Sequence, residues 1–415
     1  MDLNEDGHSI WEQDGTLRSI GQPNWLVDRF LQTLMAAFED AGFQIYAVGG
    51  CVRDTILGRP VADVDLSTNA RPKDSVRIVE SLRFRGTSWK AVPTGIEHGT
   101  ITALVPDASN GYEITTFRAD VETDGRHAKV AFSDSIDEDA QRRDFTINAF
   151  YADREGQVTD VVGGSRDLAA RRIRFIGDPN ARIEEDYLRI LRFFRFTATH
   201  GARDQGIDAD GLAACAMQAD GLSRVSKERI GVELCKLIMD YDPAPIIGSM
   251  EHSGVLTHIL PGGSSTTLAR LIDLEETYPT EGRMLPSIDL ATRLAALGSD
   301  ELQRRLRLSN DVARKIELVS REAGLLTPPH ELGYRYGGLS AVHCLLLRWA
   351  SLLQPLDQTA IDEVWHGAKA NFPIAARDLM PTYGGKALGT RIKQLEAAWI
   401  KSDFTMGKNA LLALP

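Results

Sequence analysis

The chain changes character near residue 165, and that change limits the folds open to it more than any other feature. Before it, short β-branched and aromatic stretches alternate with turn-rich segments. After it, apolar residues recur at helical spacing through segment after segment, with no convincing strand. Such a chain is α+β, with a small mixed head followed by an all-helical remainder. Its 415 residues are enough for two or more domains. The expected divisions are an N-terminal segment at 1–24, a head at 25–165, and helical segments at 166–240, 241–330 and 331–415. The last two breaks follow the Pro- and Gly-rich stretches Tyr241–Pro245 and Thr327–Gly338.

With 43% hydrophobic and 25% charged residues, the composition is that of an ordinary soluble globular protein. No apolar run approaches the roughly 20 residues of a membrane span, so no membrane partner is expected. Met1 to Asp14 is acidic and polar, without the pattern of a signal or transit peptide. Cys51, Cys215, Cys235 and Cys344 form no close metal-type pair and are too few for a disulfide framework. Reduced thiols in a cytoplasm are expected. The net charge of −11 argues against binding nucleic acid through the whole surface. The charge is uneven, however. Val162 to His200 holds eight arginines, no lysine and five acids, formally +3.

Within the head, residues 24–42 place Leu26, Phe30, Leu34 and Phe38 on one helical face, and Gly42 ends the pattern. A strand over Phe43–Val48 leads into GGCVRD, Gly49 to Asp54, where a glycine pair opens a helix. A second strand runs around Val61–Leu66. Gly99–Val105 and Tyr112–Phe117 are strand candidates joined by the turn-rich Pro106–Gly111. Residues 119–131 are polar and aperiodic, a flexible loop, and RRDFTINAF, Arg142 to Phe150, follows it.

Asp63 and Asp65 stand two apart, which on a strand puts both on one face. Adjacent carboxylates repel unless a cation lies between them, and hard oxygen donors suit Mg²⁺. Two such ions serve phosphoryl chemistry by activating one oxygen and stabilising another. A bare Asp-x-Asp is more often a solvated strand end. Here GGCVRD stands upstream, where glycines let backbone approach a phosphate and a helix N-terminus favours an anion. Glu113 is a third carboxylate on a strand expected beside the first.

Ile183 to Thr199 reads as one helix, with Tyr187, Ile190, Leu191, Phe194 and Ala198 as its buried stripe. Arg189, Arg192 and Arg195 lie on another side, and Asp186 and Arg189 are i, i+3 neighbours. A solvated face with an internal ion pair is the commoner meaning of such a pattern.

The order of these segments resembles one family. GGCVRD, DVDLST, HGTITAL, EITTFR, RRDFTINAF, the GDP of Ile176 to Pro179, and EEDYLRILRFFRF follow one another as in the class II tRNA nucleotidyltransferases, the bacterial CCA-adding enzymes, and their poly(A) polymerase relatives. The likeness runs from about Ile45 to Asp240 and continues more weakly beyond. It implies a DNA-polymerase-β-like nucleotidyltransferase head, which is catalytic. A helical neck that recognises the base, a helical body and a tRNA-binding tail would follow. By the same resemblance Asp63 and Asp65 hold the catalytic metal, Mg²⁺, with Glu113 as third carboxylate. Gly49, Gly50 and Arg53 belong with the nucleotide phosphates, Arg143 and Asp144 with the ribose, and Asn148 with the same nucleotide-binding motif. Asp186 and Arg189 would read the base, with Arg192 and Arg195 as further nucleotide-binding arginines. Asp120 and Arg126 would be the functional members of the flexible loop.

The implied reaction is template-independent addition of CCA to tRNA from CTP and ATP. Cytosine and adenine both present an amino donor beside a ring-nitrogen acceptor, which one Asp and one Arg can match. Uracil and guanine present the reverse order and would leave buried groups unpaired. Polyadenylation, and addition of CC or A alone, are the competing readings. Against polyadenylation, the head lacks a basic phosphate-loop-like stretch, the C-terminus lacks a basic extension, and Val92 to Leu104 matches the CCA-adding version. The flexible loop favours the complete reaction, although Ala128 stands where the family usually has proline. No His-Asp dipeptide occurs, so no phosphohydrolase domain is expected. In the tail, Gly384, Gly385 and Gly389 precede a helical pattern and could meet a phosphate through backbone N–H groups.

Overall fold

Short strands build one mixed sheet, and the computed structural model describes residues 17–106, 111–120, 130–203, 205–278, 288–380 and 382–415. The chain forms two compact units, residues 1–218 and 219–415. The first holds every strand among the described residues. Its strands are β1 (Ile45–Val48), β2 (Asp65–Thr68), β3 (Arg83–Phe84), β4 (Thr87–Ser88), β5 (Lys90–Gly95), β6 (Thr100–Leu104), β7 (Gly111–Thr116), β8 (Arg118–Asp120), β9 (Val130–Phe132), β10 (Phe150–Ala152) and β11 (Val158–Asp160). Seven form the main sheet in the order β11-β10-β1-β2-β7-β6-β5. β2 and β7 are parallel, and the other neighbouring pairs are antiparallel. β3–β4 and β8–β9 are separate antiparallel pairs.

The helices of this unit are α1 (Arg29–Asp40), α2 (Gly50–Ile56), α3 (Pro72–Ser81), α4 (Ile136–Gln141), α5 (Gly164–Ala169), α6 (Pro179–Glu185), α7 (Leu188–His200) and α8 (Ala209–Met217). α1 begins later than its apolar pattern because Asp28 caps it, accepting from the N–H groups of Phe30 and Leu31. Leu31, Leu34, Met35 and Phe38 are its buried face. α3 lies against β5, β6 and β7.

The second unit is helical throughout its described residues. The Pro- and Gly-rich stretch near 241–245 runs into helix Ala244–His252, and most of the stretch near 327–338 is itself helix Pro329–Tyr336. Helix Gly338–Ser351 is buried from Ala341 to Ala350, the burial of a central helix. Arg293, 1% exposed, pairs with Glu275 at 2.7 Å and donates to the carbonyls of Ile238, Asp240 and Tyr241, closing the end of helix Lys227–Ile238. The tail glycines differ from expectation: Gly385 and Gly389 lie inside helix Gly385–Lys401, with Gly384 as its N-cap.

Helices Pro329–Tyr336 and Gln358–Ala368 approach so closely that glycine is required on both. A Cβ at Gly333 would sit 2.0 Å from the Val364 carbonyl oxygen, and one at Gly367 would sit 1.9 Å from that of His330. Gly367→Ala is expected to destabilise the protein by about 1–3 kcal/mol. Gly324→Ala, with nothing within 4 Å of the added carbon, is expected to be neutral or to stabilise by up to about 1 kcal/mol. Denaturation of both variants checks the contrast, and equal stabilities would contradict it.

Candidate active site

β1 runs into a turn that only glycine tolerates. Gly49 has φ 73° and donates its N–H to the Phe150 carbonyl at 3.1 Å. Its α-carbon faces the Asn148 carbonyl oxygen and Arg143 Nη1, which would lie 3.5 and 3.6 Å from an added Cβ. α2 starts at Gly50, as the glycine pair predicts, and carries Arg53 one turn later.

The carboxylates meet at the same end of the sheet. Ala47 of β1 pairs with Leu66, and Asp65 pairs directly with Glu113 of β7. The expected strand is displaced, however. β2 begins at Asp65, so Asp63 lies in irregular backbone before the strand, and a shared pleat does not align the two. They still interact. The Asp65 carboxyl is lifted above the usual carboxylate range by its enclosure, then by Glu113 and Asp63, while Arg143 opposes the shift. A cation bound among these carboxylates would cancel the like-charge part of that shift. Among the described residues no three acidic, imidazole or thiol groups converge closely enough to hold a metal alone. Carboxylate oxygens are hard donors and suit a hard divalent ion.

Behind them lies a fully buried acid that sequence reasoning missed. Asp139 of α4 accepts from Arg142 at 2.8 Å, Arg143 at 2.9 Å, the Tyr151 hydroxyl at 2.8 Å and the Ser67 hydroxyl at 3.2 Å. Burial pushes its pKa up, but Arg143 and then Arg142 hold it well below the usual range. Arg143 also donates to the Tyr151 hydroxyl at 2.9 Å. Its guanidinium is thus fixed between Asp139 and the edge of Gly49.

A second chain of bonds joins the motif after α4 to α7. Asp144 accepts from the Phe145 N–H at 2.8 Å, the Asn148 amide at 3.0 Å, and Arg192 Nε and Nη2 at 2.8 and 2.5 Å. Burial opposes its ionisation, yet Arg192 and the Asn148 amide keep its pKa low. Asn148 in turn accepts from Arg53 Nη1 at 2.5 Å. Arg53, Arg192 and Arg195 all stack on Phe196, at 5.2, 5.2 and 4.4 Å from the ring centroid. His200 stacks on the same ring and hydrogen-bonds Arg59 at 2.9 Å. Its pKa is pushed down to about 2 by burial, then by Arg53, Arg59, Arg195 and Arg171. The ring is therefore neutral and adds no charge to this cluster.

The single helix expected over 183–199 is two. α6 ends at Glu185, Asp186 takes extended backbone (φ −152°, ψ 102°), and α7 starts at Leu188. Asp186 accepts from the Leu188 N–H at 3.1 Å, which turns the chain. Asp186 and Arg189 are thus not i, i+3 neighbours on one helix. Arg189 is engaged by Glu185 at 2.5 Å and by the carbonyls of Arg182 and Arg142 at 2.7 and 3.2 Å. Of the expected buried stripe, Ile190, Leu191 and Phe194 are buried, whereas Tyr187 and Ala198 are only half-buried. Of the GDP run, Asp178 caps α6 and Pro179 opens it. A cavity of about 700 Å³ adjoins this run, lined also by Arg174, Asp208 and Met217. Asp63, Asp65 and Glu113 are not among its lining residues. The stems of the expected loop pair as β8 and β9. Arg126 and the side chain of Asp120 lie outside the described residues.

Two family models match the chain: the poly A polymerase head domain over residues 45–174, and the probable RNA and SrmB-binding site of polymerase A over 206–266. A CCA-adding enzyme of Streptococcus gordonii is 37% identical, with 92% of this chain and 98% of that protein aligned. The human mitochondrial CCA tRNA nucleotidyltransferase 1 is 32% identical, with 92% and 89% aligned. Among solved structures, the Bacillus stearothermophilus CCA-adding enzyme in complex with CTP superimposes with a TM-score of 0.69 at 25% identity, covering 90% and 92% of the two chains.

The raised pKa of Asp65 gives a prediction with a definite sign. An acid whose pKa is raised on folding stabilises fully below its unfolded pKa and loses that contribution as pH rises through the folded value. Asp65→Asn is therefore expected to raise the melting temperature of the cation-free protein at pH 7 and to change it little at acid pH. A melting temperature lowered at pH 7 would contradict the repulsion.

Proposed function

The chain belongs to the CCA-adding tRNA nucleotidyltransferases, and from that premise we propose how its own residues carry out the reaction. The activity is template-independent addition of CCA to tRNA from CTP and ATP, a divalent-metal-dependent nucleotidyl transfer that releases pyrophosphate. What most supports the assignment of residues is the pairing of Asp65 with Glu113 next to the Gly49 turn.

In this reading Asp63 and Asp65, with Glu113 beside them, hold the divalent ions, and the hardness of their oxygens favours Mg²⁺. Bound there, the ions supply Lewis-acid stabilisation of the attacking and leaving oxygens. The backbone at Gly49 and Gly50 and the guanidinium of Arg53 receive the triphosphate. Arg143, Asp144 and Asn148 locate the ribose. Asp186 accepts from the amino group of cytosine or adenine while Arg189 donates to the ring nitrogen. Arg192 and Arg195 add positive field where negative charge develops. Asp120 and Arg126 act from the loop over the nucleotide. The helical segment 166–240 serves as neck, 241–330 as body and 331–415 as tRNA-binding tail. Four unpaired cysteines, three of them buried, suit a reducing compartment, the cytoplasm.

Base choice separates this reading from a purely structural role for the same residues. Asp186→Ala and Arg189→Ala are expected to narrow the preference for CTP and ATP over UTP and GTP by roughly tenfold or more. Asp63→Ala is expected to lower turnover by a factor on the order of 10³ with the preference intact. Steady-state kinetics with each nucleotide checks both. Unchanged base preference would remove Asp186 and Arg189 from base reading, and normal turnover of Asp63→Ala would remove Asp63 from the metal site.

A further inference from the structure

One end of the first unit carries a charge pattern that the nucleotide reading does not use. From Arg71 to Lys90 six basic residues stand against two acids, formally +4 in a chain of −11. Arg83, Arg85 and Lys90 are exposed, and so is Arg29 at the start of α1. Arg29 lies over the rings of Phe30 and Phe84 at 4.5 and 5.0 Å, and Arg85 lies over Phe84 at 5.2 Å. Phe30 and Phe84 meet edge to face at 4.9 Å. Arg83 donates to the carbonyls of Glu80 and Leu82, which holds its head at the end of α3. Among the described residues none of these four cations forms an ion pair with a carboxylate. Two guanidiniums share one aromatic plate, so positive charge and flat apolar surface are presented together. That combination matches phosphates and unstacked bases rather than a merely acidic partner.

The sheet register connects Lys90 of this rim to the carboxylates, and the neighbouring Trp89 packs against Phe30 of the aromatic plate. Asp65 pairs with Glu113, Glu113 with Thr102, and Thr102 with Val92. Directly paired residues point to one face, so these four side chains share it. Leu104 and Lys90, paired with each other one pleat further out, share it too. The opposite face is closed: α3 lies against it, and Ile101, Ala103 and Ile114 are buried. The shared face is open, with Val92 37% and Leu104 40% exposed. From β2 to β5 is three strand spacings, roughly 14 Å, or on the order of four stacked nucleotides. The Gly49 turn follows β1, on the other side of β2. Triphosphate and RNA would therefore approach Asp65 from opposite sides.

We propose that the open face of β5, β6 and β7 carries the single-stranded 3′ end of the tRNA to Asp65 and Glu113, with Arg29, Arg83, Arg85 and Lys90 meeting its phosphates at the outer rim. This rests on the nucleotidyl-transfer reading above. The test uses the full chain with the paired substitution Arg85→Glu and Lys90→Glu, both exposed. Equilibrium binding of tRNA lacking CCA is measured across a salt series without nucleotide, and then KM is measured for tRNA and for CTP. The expected result is a KM for tRNA raised about tenfold and a KM for CTP within about twofold. The slope of log affinity against log salt should fall by about two, one for each phosphate no longer neutralised. A melting temperature equal to that of the unchanged protein excludes a folding defect. Unchanged tRNA affinity and salt slope would overturn the proposal, and so would equal losses for tRNA and CTP. An unchanged protein that binds tRNA but incorporates nothing would sink the nucleotidyl-transfer reading instead, and the salt slopes would still decide the surface.

Discussion

The arrangement of the first unit depends on the carboxylate of Asp144. It lies only 8% exposed and satisfies Arg192, the Asn148 amide and the Phe145 N–H together. Asn148 passes the restraint to Arg53. One buried anion thus ties α2, the motif after α4 and helix α7 into a single polar network. Removing one partner of a buried pair leaves the other charge stranded, at a cost of roughly 3–5 kcal/mol. Arg192 keeps 31% of its side chain in water, so the cost here falls toward the lower end.

Asp139 does the same work one layer deeper, where it orients Arg142 and Arg143 and reaches Ser67 on the strand that begins with Asp65. The two acids let many guanidiniums gather without unfolding the site. Phe196 spaces three of them, and His200 stays neutral beside them. The result is a fixed set of positive charges, of which Arg143 acts directly on Asp65. In the proposed mechanism a triphosphate with its divalent ions would complement both signs at once. Because the donors are already oriented, little reorganisation is needed when negative charge develops. Base choice by protein side chains requires the same rigidity, since an Asp and an Arg discriminate only if neither can swing to rescue a mismatched base.

Much of this is legible in the sequence, and the exceptions have physical causes. Strands β6 and β7 fall within a residue or so of expectation because burial alternates along them. The glycine pair at 49–50 marks its turn because no other residue adopts φ 73° cheaply. The break at Asp186 is hidden. No Gly or Pro announces it, the apolar stripe runs on past it, and the turn is made by the Asp side chain itself. Asp63 reads as a strand residue because Asp-x-Asp mimics the pleat, whereas pairing starts only at Asp65. Asp139 and His200 escape sequence reading for another reason. Their partners, such as Ser67 and Arg59, lie 72 and 141 residues away, and no local pattern encodes such a meeting.

Without a nucleic-acid template, a protein site must itself specify C and A and count them onto tRNA. The most direct measurement supplies tRNA lacking its 3′ end with CTP, ATP, UTP and GTP, singly and together, and sequences the products. The account predicts CC from CTP alone, CCA from CTP with ATP, and no incorporation of U or G. Long A tails, or U and G incorporated at comparable rates, would contradict it.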